Sequence, residues 1–335
     1  MLIEVTEPSQ MGEARRKAVA CAESIDLSEV RCGQVALATA EIATNLVKHA
    51  GRGYVLVQRL RDNGSSGVRV TGVDKGPGIA DVAEALVDGN TSGDSMGTGL
   101  GTIQRVSDTF DLYSVPGAGT VISAEFWQGK AHGSHQSGGI EIGFVSEPIR
   151  GEDVNGDGWA VRASGDSLLL MVIDGLGHGI LAAEAAREAE RIFRETKATG
   201  VEAIINDAHL ALKKTRGAAG GIAKIDATHG ILAFAGVGNV CASVLEPGFS
   251  RSLVSHNGTL GQQMERLQEF RCPWNPDSIL VMHSDGLVSR WDLQLYPGLL
   301  RKRANVIAAV LHRDFARGRD DVTVLVAKAA AGKTA

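Results

Sequence analysis

The sequence predicts an α+β protein of two domains: helices on a mixed sheet, followed by a two-sheet stack covered by helices. Three observations lead to this expectation. A chain of 335 residues exceeds the usual size of one hydrophobic core. Segments with the apolar spacing of helices occur beside segments of strand character in both halves. A polar stretch rich in glycine and serine, 129–139, has the composition of a linker and separates the halves.

The first half, assigned to a domain over 1–128, is predicted to place helices on a mixed or antiparallel sheet. Helical spacing of apolar residues covers three segments: 8–24, 29–50 and 101–106. Strand character covers four segments, the last two of which have the pattern of a closing hairpin: 54–60, 68–73, 109–114 and 120–127.

The second half, assigned to a domain over 140–328 with a tail at 329–335, is predicted to stack two sheets beneath helices. Helical spacing covers 180–196 and 201–215. Strand character covers seven segments: 158–163, 167–173, 221–226, 230–235, 242–245, 278–284 and 322–327.

Composition narrows the class of function. A formal charge of −5, from 34 Lys and Arg against 39 Asp and Glu, provides no basic field for nucleic acid. The first residues lack a basic leader before an apolar core, and apolar runs stay short of a membrane span, so we expect a cytoplasmic protein without a membrane partner. The four cysteines form no CxxC pair, which disfavours a zinc site or a disulfide framework.

Three motifs of the first half suit a nucleotide site. Glu41 and Asn45 are one helical turn apart, so a helix presents both on one side. The amide oxygen suits Mg²⁺, and the carboxylate could accept a proton from an attacking hydroxyl. Asp74 ends a predicted strand, where its carboxylate could accept a hydrogen bond from the amine of adenine. Glycines allow close backbone approach or supply bare N–H groups before a helix: Gly76, Gly78, Gly97, Gly99 and Gly101.

Each motif alone is more often a solvated helix face or a turn, and only their combination and order favour ATP. The combination resembles the N, G1 and G2 boxes of the GHKL ATPase family, in the anti-sigma and switch-kinase branch of the RsbT and RsbW type. The resemblance implies a Bergerat-type α/β sandwich, Mg²⁺ held by Asn45, Glu41 as the base, Asp74 at adenine and a lid over 97–101. It also implies a serine or threonine acceptor on another protein.

The second half distributes carboxylates over the ends of predicted strands. Asp174 and Asp285 each end an apolar strand and each precede a glycine, and Asp157 follows the Asn-Gly pair before another strand. Asp320 and Asp321 precede the last strand, and sequence does not decide between them. Oxygen donors of this kind favour Mg²⁺ or Mn²⁺ over zinc, and two such ions can activate a water against a phosphate. Asp-Gly pairs are otherwise ordinary turns, so the prediction depends on the whole set.

The set resembles the metal-dependent PPM-type protein phosphatases, in the SpoIIE and RsbX branch, over about 140–328. The resemblance implies an α-β-β-α sandwich that binds two Mn²⁺ or Mg²⁺ ions. The ligands it implies are Asp157, Asp174, the Gly175 carbonyl, Asp285, and Asp320 or Asp321.

The two resemblances together predict a bifunctional partner-switching regulator. A serine/threonine kinase domain and a serine/threonine phosphatase domain would act on a STAS-domain anti-sigma antagonist and on its phosphorylated form. The alternative is a phosphatase whose ATP-binding module sequesters or senses a partner without catalysis. Glu41 favours the kinase, because a pure binding module needs no base.

Overall fold

A computed structural model describes residues 1–62, 64–87, 99–129, 136–137, 139–264 and 267–330. The chain forms two compact units. The first contains Met1–His135 and, from far along the chain, Tyr296–Arg313. The second contains Gln136–Leu295 and Asp314–Ala335. In the described part of the chain, no helix is long and apolar enough to cross a bilayer.

The first unit is built on a five-stranded sheet whose paired strands run antiparallel, in the order β1-β2-β3-β5-β4. Its strands are β1 Leu2–Val5, β2 Gly53–Asp62, β3 Ser65–Asp74, β4 Thr109–Val115 and β5 Gly119–Trp127. The helices of its amino-terminal part are α1 Pro8–Glu23, α2 Glu29–Asn45, α3 Val82–Ala85 and α4 Gly99–Val106. Local sequence fixes the helix starts: Glu7 and Gln10 form a capping box before α1, and the Ser28 hydroxyl accepts from the Arg31 N–H before α2.

One face of this sheet is apolar and packs against the helices. Val68 and Val70 of β3 and Ile122 and Ala124 of β5 are buried in the same core as Ile42 of α2. Each fully buried aliphatic side chain of this kind contributes about 1.5–3 kcal/mol relative to exposure. Because side chains alternate between the two faces along a β-strand, the residues between these positions in β3 and β5 point to the other face.

The other face is polar and buried. Arg69 of β3 and Glu125 of β5 form an ion pair at 2.8 Å, with 1% and 0% of their side chains exposed. The segment Tyr296–Arg313 belongs to this unit and includes most of helix α7, Ala304–Phe315. The Asn305 amide donates to the Ser123 hydroxyl of β5 at 2.6 Å, and His312 and Tyr54 of β2 share a hydrogen bond at 2.9 Å. A helix distant in sequence therefore contacts the polar face.

The second unit stacks two sheets, of orders β14-β11-β10-β9-β8 and β13-β12-β15-β16-β7-β6. The rings of Phe144 and Trp159, from different sheets, are 4.0 Å apart between centroids. Helices α5 Ile180–Glu195 and α6 Val201–Ala211 pack on the first sheet. The strands are β6 Gln136–Ser137, β7 Ile140–Glu147, β8 Asp157–Ser164, β9 Ser167–Gly175, β10 Ala218–Asp226, β11 Ile231–Val237, β12 Cys241–Glu246, β13 Phe249–Leu253, β14 Phe270–Pro273, β15 Ile279–His283 and β16 Val322–Ala329.

The predicted α+β fold class is confirmed, and of the two alternatives for the first sheet the structure is antiparallel. Every predicted helix and strand is present with small shifts of its ends. One predicted helix, 29–50, changes geometry: α2 ends at Asn45 and continues as a π-helical turn, Leu46–Ala50. The segments predicted from sequence do not include β1, α3, β6, β7, β13, β14 or α7. The predicted domain limits stay a prediction, while Tyr296–Arg313 groups with the first unit in space.

Candidate functional site

The first candidate site lies in the first unit, where α2 faces the start of α4. A methyl group built on Gly99 would lie 3.0 Å from the Glu41 carboxylate and 3.8 Å from the Asn45 amide oxygen. The backbone at the start of α4 therefore lies close to the side chains of Glu41 and Asn45, which the helical spacing predicts on one side of α2. The π-helical turn begins immediately after Asn45, and such turns occur frequently at functional sites.

Asp74, at the end of β3, is held in one orientation by backbone donors. Its Oδ1 accepts from the N–H of Gly76 at 2.8 Å and from the N–H of Thr120 at 3.1 Å. Burial raises the pKa of Asp74, while these two N–H groups and the guanidinium of Arg313 oppose the rise. The Asp74 carboxylate is half-buried and its orientation is fixed by these hydrogen bonds, which is what recognition of a base amine requires.

The glycines of the motif after Asp74 are required by close packing. A methyl group on Gly76 would lie 2.7 Å from Ala50, and Gly78 has a φ of +71° with the Val115 carbonyl 2.2 Å from where its methyl would be. Gly101 is buried within α4. Gly97 lies outside the described residues, so its predicted role stays a prediction.

The second candidate site lies in the second unit and collects the predicted aspartates. Asp157 and Asp174 are directly opposite each other across the β8–β9 pair. The hydroxyl of Ser284 donates to Asp157 at 2.6 Å. Burial and the neighbouring charge of Asp174 raise the pKa of Asp157 well above its usual value. Burial and the charges of Asp285 and Asp320 raise the pKa of Asp174 to about 7. The fold therefore places several carboxylates close together, and their mutual repulsion contributes to the raised pKa values.

Asp285 completes the cluster. Its backbone N–H donates to Asp174, and the charge of Asp320 helps to raise the pKa of its carboxyl. The amide of Asn239 donates to Asp285 Oδ2 at 2.6 Å. The sequence prediction assigned no role to Asn239 or Ser284. Ser284 directly precedes the predicted ligand Asp285, but its hydroxyl donates to Asp157, and Asn239 lies 46 residues before the carboxylate that it contacts, so no local signal identifies either contact.

The two adjacent aspartates before β16 have different surroundings. Asp321 is 3% exposed, and its two oxygens accept from the backbone N–H of Ile149 at 2.7 Å and of Gly156 at 2.8 Å. Asp320 instead adds its charge to the surroundings of Asp174 and Asp285, and it raises the pKa of both carboxyls. Asp321 is therefore engaged in holding the loop before Asp157, and Asp320 is the better candidate of the two to face a cation.

Gly175, the remaining predicted ligand, is fixed by the helix that follows. A methyl group there would lie 2.2 Å from the carbonyl oxygen of Ala182 in α5. Its backbone N–H donates to the carbonyl of Gly156 at 3.1 Å, which ties the end of β9 to the loop before Asp157.

The fit of these residues to metal ions rests on their chemistry. Within the ranges described, no three His, Cys, Asp or Glu side chains already stand at distances that would hold an ion. Burial and the neighbouring charge of Asp320 raise the pKa of Asp285, and a cation bound between the two carboxylates would relieve that repulsion. Clustered hard oxygen donors of this kind suit Mg²⁺ or Mn²⁺. The donor set fits such ions, although it is not closed around one.

The folds of the two units and their candidate sites agree with one class: a kinase-like ATPase domain and a PP2C-type phosphatase domain in one chain. Residues 5–126 match the family model described as "Histidine kinase-like ATPase domain", and 164–330 match "Stage II sporulation protein E (SpoIIE)". The chain belongs to the histidine kinase-like ATPase family and carries a SpoIIE-type phosphatase domain.

Two characterised relatives come from Bacillus subtilis (strain 168). The serine/threonine-protein kinase RsbT is 33% identical over 106 residues, which is 32% of this chain and 80% of RsbT. The phosphoserine phosphatase RsbX is 29% identical over 138 residues, which is 41% of this chain and 69% of RsbX. The recognition of both families from sequence is thereby confirmed.

Solved structures agree with this fold. A chain from "The bacterial stressosome: a modular system that has been adapted to control secondary messenger signaling" matches with a TM-score of 0.53 and 28% identity, over 56% of this chain and 99% of that one. RsbX in complex with magnesium matches with a TM-score of 0.52 and 24% identity, over 58% of this chain and 98% of RsbX. The second likeness concerns the fold alone.

Proposed function

We propose that this chain is a bifunctional partner-switching regulator. Its phosphatase domain removes phosphate from a serine or threonine of a STAS-domain anti-sigma antagonist, and its ATPase domain transfers phosphate to such a protein. The observation that carries the phosphatase half is the convergence of Asp157, Asp174, Asp285 and Asp320, far apart in sequence, at one place in the second unit. The kinship with RsbT and RsbX supports the pairing of activities and the partner class.

In the phosphatase domain, the four aspartates and the Gly175 carbonyl would hold two Mn²⁺ or Mg²⁺ ions. When bound, such ions polarise a phosphate and activate water for attack in line with the leaving group. The bond from phosphorus to the serine oxygen breaks, water supplies a new oxygen to phosphorus and a proton to the serine oxygen, and inorganic phosphate leaves. Asn239 orients Asp285 and Ser284 orients Asp157 through their hydrogen bonds.

In the ATPase domain, Glu41 accepts the proton of the acceptor hydroxyl. The hydroxyl oxygen then bonds to the γ-phosphorus as the bond from that phosphorus to ADP breaks. Asn45 would hold Mg²⁺ against the phosphates, and Asp74 would accept a hydrogen bond from the adenine amine. The approach of Gly99 to Glu41 and Asn45 supports this arrangement, because it places the start of α4 over both side chains.

The phosphatase proposal is tested by Mn²⁺-dependent release of phosphate from p-nitrophenyl phosphate. We expect Asp285→Asn to lose at least about 100-fold in rate, as loss of a ligand or its support commonly does. The matched control is Asp166→Asn, an exposed aspartate in the turn that joins β8 to β9 at the opposite end of the hairpin from Asp157. Equal rates for the wild type and Asp285→Asn would refute the proposed cage.

The kinase proposal is tested with labelled ATP and a STAS-domain protein. Label transfer that disappears in Glu41→Ala while ATP still binds supports the kinase. Binding of ATP without transfer in the wild type would refute it and favour the alternative, a non-catalytic module that senses nucleotide or sequesters the partner. The assay is carried out on Asp285→Asn protein as well, so that the phosphatase domain cannot erase the label while Mg²⁺ remains available to ATP.

A further inference from the structure

One helix of the first unit comes from a part of the chain that the phosphatase family model includes. That model covers 164–330, whereas Tyr296–Arg313 groups with the amino-terminal unit. All residues from Ala304 to Arg313 are buried. Near the start of α7 the segment contacts β4. Asp111 of β4 accepts from the Arg303 backbone N–H at 2.8 Å and from the Lys302 ammonium at 3.4 Å. Further along α7, Asn305 is hydrogen-bonded to Ser123 of β5, and His312 is hydrogen-bonded to Tyr54 of β2.

The segment ends at the candidate nucleotide site. The guanidinium of Arg313 donates to the backbone carbonyl of Asp74 at 3.3 Å, and only 8% of Arg313 is exposed. The same Asp74 uses its side chain to accept from Gly76 and Thr120. Arg313 therefore contacts, through the main chain, the residue whose side chain is aimed at the base.

We propose that Arg313 is a positioning residue of the nucleotide site, which holds the Asp74 turn and its ionised carboxylate ready for the adenine amine. This inference rests on the proposed ATP site at Asp74. A buried cation favours the charged form of a nearby carboxylate, and a hydrogen bond to its carbonyl fixes the turn that carries it. The residue that tunes the base-binding site of the ATPase domain is thus supplied from the sequence of the phosphatase domain.

The carboxylate state matters for which base binds. Adenine presents an amine that donates to an ionised carboxylate, whereas guanine presents a carbonyl oxygen at the corresponding position and is repelled by it. Burial already raises the pKa of Asp74, and Arg313 opposes that rise. Loss of the cation would shift Asp74 toward its protonated form, which can donate to a carbonyl. Both the affinity for ATP and the discrimination against GTP should then fall.

The test measures dissociation constants of ATP and of GTP, with Mg²⁺, by calorimetry on the full chain. Because hydrogen bonds to charged groups are strong, we expect Arg313→Met to weaken ATP binding about tenfold and to change GTP binding little. Arg313→Lys keeps the charge and should stay within about threefold of the wild type for ATP. If Arg313→Met does not fold, Arg313→Gln, which keeps a donor without the charge, is expected to show the same selective loss.

The matched control is Asn305→Ala, which removes an equally buried polar contact between the same helix and the same sheet, but at Ser123. We expect it to leave ATP affinity within about twofold of the wild type. The inference is overturned if Asn305→Ala weakens ATP as much as the Arg313 variants do, if ATP and GTP weaken equally, or if Arg313→Met and Arg313→Gln bind ATP as the wild type does. A wild type that binds no nucleotide would overturn the proposed ATP site as well, whereas wild-type binding with unaffected variants sinks this inference alone.

Discussion

Asp320 and Asp321 show how far adjacent residues of one type can differ. Asp321 accepts two backbone N–H groups in a buried position, so it serves the loop around Gly156. Asp320 adds its charge to the surroundings of Asp285 and Asp174. Sequence could not separate the two, because both precede the same strand and only the direction of each side chain assigns its role.

Substitution of each aspartate should therefore have a different signature. We expect Asp320→Asn to raise at least about tenfold the Mn²⁺ concentration needed for half-maximal phosphatase activity. In the metal-free protein it should leave the melting temperature unchanged or higher, because it removes like-charge repulsion. Asp321→Asn places an amide donor against backbone donors and should cost about 2 kcal/mol of unfolding free energy. Denaturant unfolding and metal titration of both variants check this, and identical behaviour of the two would contradict it.

His312 makes stability depend on pH. Burial lowers the pKa of His312 to about 4 in the folded protein, against about 6.5 when unfolded. Between these values the unfolded chain binds more protons, so stability falls as pH is lowered from about 6.5 to 4, by about 3 kcal/mol from this residue. The stability difference between the wild type and His312→Asn, measured by denaturant unfolding from pH 7 to 4, isolates the effect, since the aspartate cluster titrates equally in both. A difference that stays constant with pH would contradict this prediction.

At the scale of elements, helix α7 was the feature that sequence concealed. Sequence patterns identify a helix by an apolar stripe beside a polar one, but every residue of 304–313 is buried, so no stripe exists. The polar face of the first sheet was hidden for the related reason that Arg69, Thr71, Ser123 and Glu125 have the composition of a solvated face. Their burial could not be read from the strands alone, because the helix that contacts this face through Asn305 and His312 lies far along the chain.

Asp111 holds the amino-terminal end of α7. It accepts from the Arg303 N–H at 2.8 Å, so its carboxylate acts as a cap supplied by β4. We expect Asp111→Ala to cost about 1–2 kcal/mol of unfolding free energy and to speed amide exchange in 304–308, while Asp111→Asn keeps an acceptor and costs less. Exchange measured by mass spectrometry distinguishes the two. Unchanged protection of α7 in Asp111→Ala would show that the cap is dispensable.

The ion pair of Arg69 and Glu125 is expected to be costly to break and tolerable to replace. Arg69→Met leaves Glu125 charged and buried, and should cost about 3–5 kcal/mol. The double substitution Arg69→Met with Glu125→Leu removes both charges and should recover most of that loss. Chemical denaturation of the wild type, both single variants and the double variant completes the cycle. A double variant as unstable as the sum of the single ones would contradict the prediction.

For the whole molecule, the sequence could predict a candidate site or an element only where its residues are close together along the chain. Glu41 with Asn45, Asp74 with its glycines, and each strand-end aspartate could be read from short spacings, since strand alternation and helical turns are local geometry. The division of the chain in space could not, because Tyr296–Arg313 joins the amino-terminal unit through contacts with residues about 200 positions earlier. Such contacts carry no local signal.

Divalent ions should stabilise the entire chain against heat. Ions that bind the folded aspartate cluster, and not the unfolded chain, add about 2.7 kcal/mol at a concentration 100 times the dissociation constant. We expect Mn²⁺ to raise the melting temperature of the wild type and EDTA to abolish the rise. The melting temperature of Asp174→Asn should change with neither Mn²⁺ nor EDTA, whereas that of Asp166→Asn should change with both, as in the wild type. An equal Mn²⁺ response of the wild type and Asp174→Asn would place the binding elsewhere.

The placement of Tyr296–Arg313 also sets an order of events during synthesis. The strands that form the first sheet end at residue 127, but helix α7, which contacts their polar face, begins only at residue 304. At synthesis rates of about 5–20 residues per second, the nascent sheet waits about 10–40 s for this helix. During that interval the first unit lacks one of its segments, so it is completed only after residues 136–295 of the second unit have been made.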